Sequence, residues 1–214
     1  MKAEAERNAA AGEREINGLL PVASLVDWQD AAVAEWHRNL GPTESRLEEP
    51  GWAPDAIAPG LGAAIGREHL TNVRLWHEED EARRPDVDDE VIAGVKRRID
   101  RLNQRRNDLI EAIDDALTSA LDDAGVEPRP DSRLHSETPG AIIDRLSILS
   151  LKIYHMREQS ERRDATSEFR ARCAQRVEVL ELQRDDLAAE PTQLRRSCRG
   201  ARDRSGPPDR DGPR

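Results

Sequence analysis

The chain has 214 residues, of which 36% are apolar, 36% charged and 3% aromatic, enough for one domain with a moderate core. A formal net charge of −10 excludes general nucleic-acid binding, which needs a basic surface to neutralise phosphates, and no stretch is apolar enough to span a membrane. The charged, helix-prone start MKAEAERNAAAGEREI lacks an apolar secretory segment, so a cytoplasmic location is expected. Cys173 and Cys198 lack metal-ligand spacing and imply no disulfide framework.

Residues 1–15 are expected to be a flexible lead-in to one helical domain over 16–190. Residues 16–40 form the first candidate helix, with Leu25, Trp28, Ala32 and Trp36 at near-helical spacing before Gly41 and Pro42 stop it. Four Pro and three Gly make 41–60 a surface connection, which Trp52 tucks down. A long helix starts at about 61 and runs to Pro85. The next spans roughly 89–121, capped by Asp88, with Ile92, Val95, Ile99, Leu102, Arg106, Leu109, Ile113 and Ala116 as a bundle seam that Arg106 interrupts. After a loop, TPGAIIDRLSILSLKIYHMREQ opens with Thr138 as cap and Pro139 at the first helical position. Its apolar stripe is wider than one face, so it should be enclosed, with Asp144, Arg145, Lys152 and His155 paired or at its margin. A last helix covers 166–189. Beyond Pro191 the mixture of Arg, Pro, Gly, Ser and Asp, with seven Arg against three Asp, predicts a disordered tail over 191–214.

An offset of 78 residues brings the two hairpins, about 61–121 and 139–190, into register without a gap. Gly62 meets Gly140, Ile65 meets Ile143, RLWH at 74–77 meets KIYH at 152–155, and the caps Asp88 and Thr166 coincide. Arg98, Leu102, Arg106, Asp108 and Leu109 meet Arg176, Leu180, Arg184, Asp186 and Leu187. The predicted fold is therefore all-α: a four-helix bundle of two pseudo-repeated hairpins with the N-terminal helix packed across it.

One face of the helix from 61 carries Ile65, His69, Asn72, Trp76, Glu79 or Asp80, and Arg83, too polar for plain core. Arg106 and Arg184 occupy matching seam slots, with Glu79 or Asp80 and Glu158 as the simplest partners. One reading makes these ion pairs that fix helix register. The other is a pocket between the hairpins lined by His69, Asp80, Arg83, Asn103, Arg106, Asn107, Asp144, Arg145 and Lys152, whose guanidinium groups suit an anionic small molecule. No metal or cofactor is expected. The adjacent acids Glu78, Glu79 and Asp80 diverge around a helix, and no Glu-x-x-His repeat is present. No nucleophile stands beside a base, and His37, His77, His135 and His155 are expected at the surface or boundary.

At LWHEEDEARRPDVDDEVIAGVKRRIDRLNQRRNDLIEAID and LHSETPGAIIDRLSILSLKIYHMREQ the chain resembles the bacterial helical family catalogued as domain of unknown function 4254, over about residues 20–187. The resemblance implies a cytosolic bacterial protein and members encoded near cell-envelope sugar biosynthesis, and it assigns no catalytic residue. The sequence departs at PTQLRRSCRGARDRSGPPDRDGPR, where the family continues into a helix and a tail containing Tyr, Lys and Asn-Asp. The expectation is a non-catalytic binding or accessory protein. The rivals are an enzyme acting on a phosphorylated small molecule or nucleotide-sugar between the hairpins, and a regulatory homo-oligomer or partner-binding bundle.

Overall fold

The computed structural model describes residues 20–40, 57, 59–125 and 137–189, and these form five helices with no strand among them. Helix α1 is Val22–Glu35, closed by a π-helical turn Trp36–Leu40; α2 is Pro59–Glu81, α3 Asp89–Asp123, α4 Pro139–Glu161 and α5 Ser167–Ala189. The lead-in 1–15, Trp52, His135, Cys198 and the tail 191–214 lie outside the described residues. Among those that are described, no helix is long and apolar enough to cross a membrane.

The caps read from the sequence carry the helix starts. The Asp88 carboxylate accepts from Val91 N at 2.9 Å, the Thr138 hydroxyl accepts from Ala141 N at 3.2 Å, and the Thr166 hydroxyl accepts from Phe169 N at 3.2 Å. Pro139 stands at the start of α4, where its missing amide leaves no unmet bond. The two hairpin turns repeat one device. Arg84 Nε lies 3.1 Å from Asp86 Oδ1 with Nη2 on Oδ2, and Arg162 makes the same fork on Asp164, 78 residues on.

Helix α4 is enclosed, as its wide apolar stripe requires. It packs lengthwise on α5 and also touches α1, α2 and α3. Ile142, Ile143, Leu146, Leu151 and Ile153 are buried to 1% exposure or less, each contributing roughly 1.5–3 kcal/mol on burial. One core cluster joins Leu25, Ile65, Ile113, Leu117, Ile142 and Leu146 across four helices, and a second gathers Val33, Trp36, Leu70, Val73 and Leu151. The seam of α3 behaves as its spacing indicates: Val95, Ile99 and Ile113 are buried, and Arg106 interrupts them half-exposed. The close approach of α3 to α4 falls at Gly140, where an added Cβ would stand 2.5 Å from Ile110 O. The same residue gives its amide to Asp114 Oδ1 at 2.7 Å.

A shared 78-residue offset does not make matching surroundings. Helix α3 packs against α4, whereas the corresponding side of α5 faces α1 rather than α2. The expected partners of the two seam arginines are accordingly corrected. Arg106 pairs with Asp144 and not with Glu79 or Asp80, and Arg184 reaches Asp30 of α1 at 2.6 Å and not Glu158. An acid on the neighbouring helix of a hairpin is close in sequence, but the packing of one hairpin on the other decides which acid is near in space.

Candidate functional site

Three helices bring a buried polar network to one place. Helix α2 supplies Glu68, His69 and Asn72, α4 supplies Asp144, Ser147 and Ser150, and α3 supplies Arg106. The α2 and α4 residues are each at most 4% exposed. Positions 68 and 72 are one turn apart, as are 144 and 147, so each helix presents one polar patch inside its apolar stripe.

Arg106 grips Asp144 with both arms of its fork, Nε 2.5 Å from Oδ1 and Nη2 on Oδ2. Asn72 Nδ2 reaches Asp144 Oδ1 and Ser147 Oγ, each at 3.0 Å, and also Glu68 Oε1, so two amide hydrogens are shared among three oxygens. Burial, reinforced by the neighbouring Asp144 carboxylate, pushes the Glu68 carboxyl well above the usual carboxylate range. Burial works against the charge of Asp144 as well, but hydrogen bonds from Arg106, Glu68 and Asn72 hold it below its ordinary value. The network therefore sets a Glu68 carboxyl, driven toward its protonated form, beside an Asp144 that Arg106 holds toward its charged form. One carboxylate balances one guanidinium, and burial first, then the neighbouring like charge, disfavours ionisation of the second carboxyl.

His69 is fully buried, its Nδ1 2.8 Å from Ser147 Oγ and its ring edge-on to Trp28 at 5.3 Å between centroids. Burial lowers its pKa to about 3, so the imidazole is neutral. On the α1 side, Gln29 is buried with its amide 3.5 Å from Ile143 O.

In front of this network lies a cavity of about 240 Å³ lined by Asn72, Leu75, Trp76, Glu79, Arg83, Asn103, Arg106, Ile148 and Leu151. Asn72 and Arg106 form its polar wall and separate it from Glu68, Asp144 and His69. Of the pocket expected from the sequence, Arg83, Asn103 and Arg106 line the cavity, while Asp144 and His69 stand behind the wall. Asp80 is exposed at the rim, where it holds Arg83 at 2.9 Å. Asn107 and Lys152 are exposed and do not line it, and Arg145 turns outward to Glu137. Sequence reasoning passed over Glu68, although its spacing of four from Asn72 on the same helix was the available signal.

Three histidines expected at the boundary also converge. His37 of the π-turn, His77 of α2 and His155 of α4 have ring centroids 4.8–6.1 Å apart, among Trp36, Trp76 and Tyr154. Among the described residues, however, no three His, Cys, Asp or Glu side chains form a group that could hold a metal ion.

The model of the family described as protein of unknown function DUF4254 matches residues 63–204, about two thirds of the chain, including the hairpins and the cavity. The chain belongs to that family. The match continues past residue 190, into the segment where the sequence was expected to depart from the family pattern. Neither a curated protein nor a solved structure matches the chain.

Proposed function

We propose that this DUF4254 chain is a non-catalytic binding protein that takes a small molecule into the cavity between α2, α3 and α4. The observation that carries the reading is the Arg106–Asp144 fork with the fully buried Glu68 carboxyl behind it. A register device would need one ion pair, whereas here a third ionisable group is buried to brace an arginine that faces a cavity. Groups that are costly to bury and fixed by several bonds are the usual means of pre-organising a binding wall.

The lining suits a ligand with an apolar body and one polar edge. Leu75, Trp76, Ile148 and Leu151 offer apolar surface, and Asn72, Asn103, Glu79 and the two guanidinium groups offer the edge. Arg83 is already paired with Asp80 and Glu79, and Arg106 with Asp144, so the wall accepts at most one anionic group. At about 240 Å³ the space is below the roughly 300–1,000 Å³ of pockets for drug-sized ligands. The acids with displaced pKa values lie behind the wall and bond to one another, which favours binding over proton-transfer chemistry. A link to envelope polysaccharide synthesis is carried by the family resemblance alone.

We also read the two hairpins as copies of one ancestral hairpin. The repeated turn forks and the contact of His69 with Ser147, 78 residues away, support this. The cavity then marks where the copies diverged. Glu79 and Asn103 line it, and the positions 78 residues later, Arg157 and Glu181, close on each other as an ion pair.

Thermal unfolding with a neutral hexose, a hexose phosphate and a nucleoside diphosphate tests the binding reading, alongside native mass spectrometry of protein from its own host. A ligand at a hundredfold excess over its Kd should raise Tm by roughly 5–10 °C and be recovered unchanged. Asn103→Ala, at an exposed lining position, should abolish that shift and leave the ligand-free Tm alone. A ligand recovered chemically altered would favour the enzyme reading, and the absence of both shift and retained molecule would dismiss the cavity.

A further inference from the structure

The π-turn Trp36–Leu40 ends α1 in an aromatic and imidazole cluster that the cavity reading does not use. Trp36 is buried and gives its Nε1–H to His77 Nε2 at 3.1 Å. His37 stacks on Tyr154 at 4.5 Å between centroids, and His155 stacks on Trp76 at 4.5 Å with the rings 2° from parallel. Three elements, α1 with its turn, α2 and α4, are thus joined through rings that all belong to positions 36, 37, 76, 77, 154 and 155.

Hydrogen bonds fix which nitrogen carries the proton in each neutral ring. His37 Nδ1 faces Val33 O at 2.8 Å and His155 Nδ1 faces Glu158 Oε2 at 3.0 Å, so both carry their proton on Nδ1 and keep a lone pair on Nε2. Both of these Nε2 atoms are buried and meet no hydrogen-bond partner among the described residues. His77 uses its Nε2 lone pair to accept from Trp36, which leaves its own proton on Nδ1. In this neutral arrangement the rings stack and the Trp36 bond is made. A proton on His77 Nε2 removes the acceptor for Trp36, and a proton on His155 as well puts like charges about 6 Å apart inside a partly dry cluster.

The geometry points to an acid-released clasp: the Trp36–Leu40 turn docks on α2 and α4 while His77 and His155 of those helices are neutral and detaches when they take up protons. Among the described residues the charges facing the cluster are few. The turn itself brings Arg38, α2 brings Asp80, and α4 brings Tyr154 and Glu158. Asp80 and Glu158 favour the protonated rings, but burial outweighs them and holds both His77 and His155 below the ordinary histidine value. A histidine freed from the cluster returns toward about 6.5, so docking is complete above that pH and weakens as pH falls below it. Each such histidine favours opening by up to about tenfold per pH unit in that window. The clasp is distinct from the cavity, although Trp76 belongs to both.

Hydrogen exchange read by mass spectrometry on the full chain, at pH 7.5 and 5.5 with times rescaled for intrinsic rate, tests the clasp. Residues 33–40 should lose at least tenfold protection at pH 5.5 while 95–113 of α3 keep theirs, and His155→Phe, which retains a ring against Trp76, should blunt the loss. A second measurement needs no variant: in the wild-type protein the Trp36 indole N–H resonance should move with the imidazole titrations of His77 and His155. Equal protection of 33–40 at both pH values, or imidazole titrations that leave the Trp36 signal in place, would overturn the clasp. Either result would leave ligand binding at Asn103 untouched, so the two proposals fail separately.

Discussion

Arg106 turns into the molecule to meet Asp144 across the α3–α4 contact, Nε 2.5 Å from Oδ1, whereas Arg184, its equivalent in the second hairpin, reaches Asp30 of α1. Two residues alike in sequence setting thus brace two different helices. Asp144 is 4% exposed and cannot turn to water if its partner is removed. Arg106→Leu should therefore destabilise by about 3–5 kcal/mol even though leucine suits the rest of the α3 seam, because it strands a buried carboxylate. Urea unfolding of Arg106→Leu, Asp144→Leu and the double variant checks this. The double variant should recover most of the loss, and a single variant with an unshifted midpoint would show that the pair does not hold α3 to α4.

Glu68 titrates above its unfolded value of 4.5, so the folded protein keeps a proton that the unfolded chain releases. The stability contributed by that proton is whole below about pH 4.5 and is lost as pH rises toward the raised folded value. Glu68→Gln keeps the shape and a donor toward Asp144 without the ionisation. It should be at least as stable as the wild type at pH 8, with a flatter stability profile between pH 5 and 9. Chemical denaturation across that range makes the comparison. A variant that is less stable at pH 8 than at pH 5, as the wild type is expected to be, would show that the slope arises elsewhere.

Two glycines within helices should respond oppositely to alanine. At Gly140 the added Cβ would stand 2.5 Å from the backbone oxygen of Ile110 and 3.1 Å from Asp114 Oδ1, so α3 and α4 must move apart. Gly140→Ala should cost about 1–3 kcal/mol, the range of an overpacked core. At Gly94 the nearest atom is the mobile end of Arg98 at 3.8 Å, and alanine there should add about 0.5–1 kcal/mol through helix propensity. Differential scanning calorimetry of the two variants should show Tm moving in opposite directions. A neutral Gly140→Ala would mean that the helix contact yields more readily than backbone against backbone should.

The helices were legible because local chemistry decides them. Caps at Asp88, Thr138 and Thr166, Pro139 at a first turn and a three-four apolar spacing act within a few residues of one another, and the observed bounds fall within two or three residues of those read for α2 to α5. The enclosure of α4 followed from a stripe too wide for one neighbour. The sequence predicts a first helix from 16, and its described part instead begins at Val22 and closes in a π-turn that no periodicity announces.

The candidate site was only partly legible. Arg83, Asn103 and Arg106 were chosen for their chemistry on helix faces and do meet at the cavity, but Asn107, Arg145 and Lys152 share that chemistry and point elsewhere. Nothing within a helix distinguishes an arginine that faces a neighbour from one a hundred degrees away unless the neighbour is known.

By itself the sequence determined the five rods, their caps, the 78-residue correspondence and the expectation that polar groups would be buried in α4, since each depends on residues close along the chain. Only the tertiary structure decided that Arg106 takes Asp144, that Glu68 is enclosed beside it, where burial raises its pKa, and that His37, His77 and His155 meet. Those outcomes depend on how one hairpin is rotated and slid against the other and on where α1 lies. A shift of one residue in that packing turns a helix face by about a hundred degrees, a displacement that leaves the local sequence pattern unchanged.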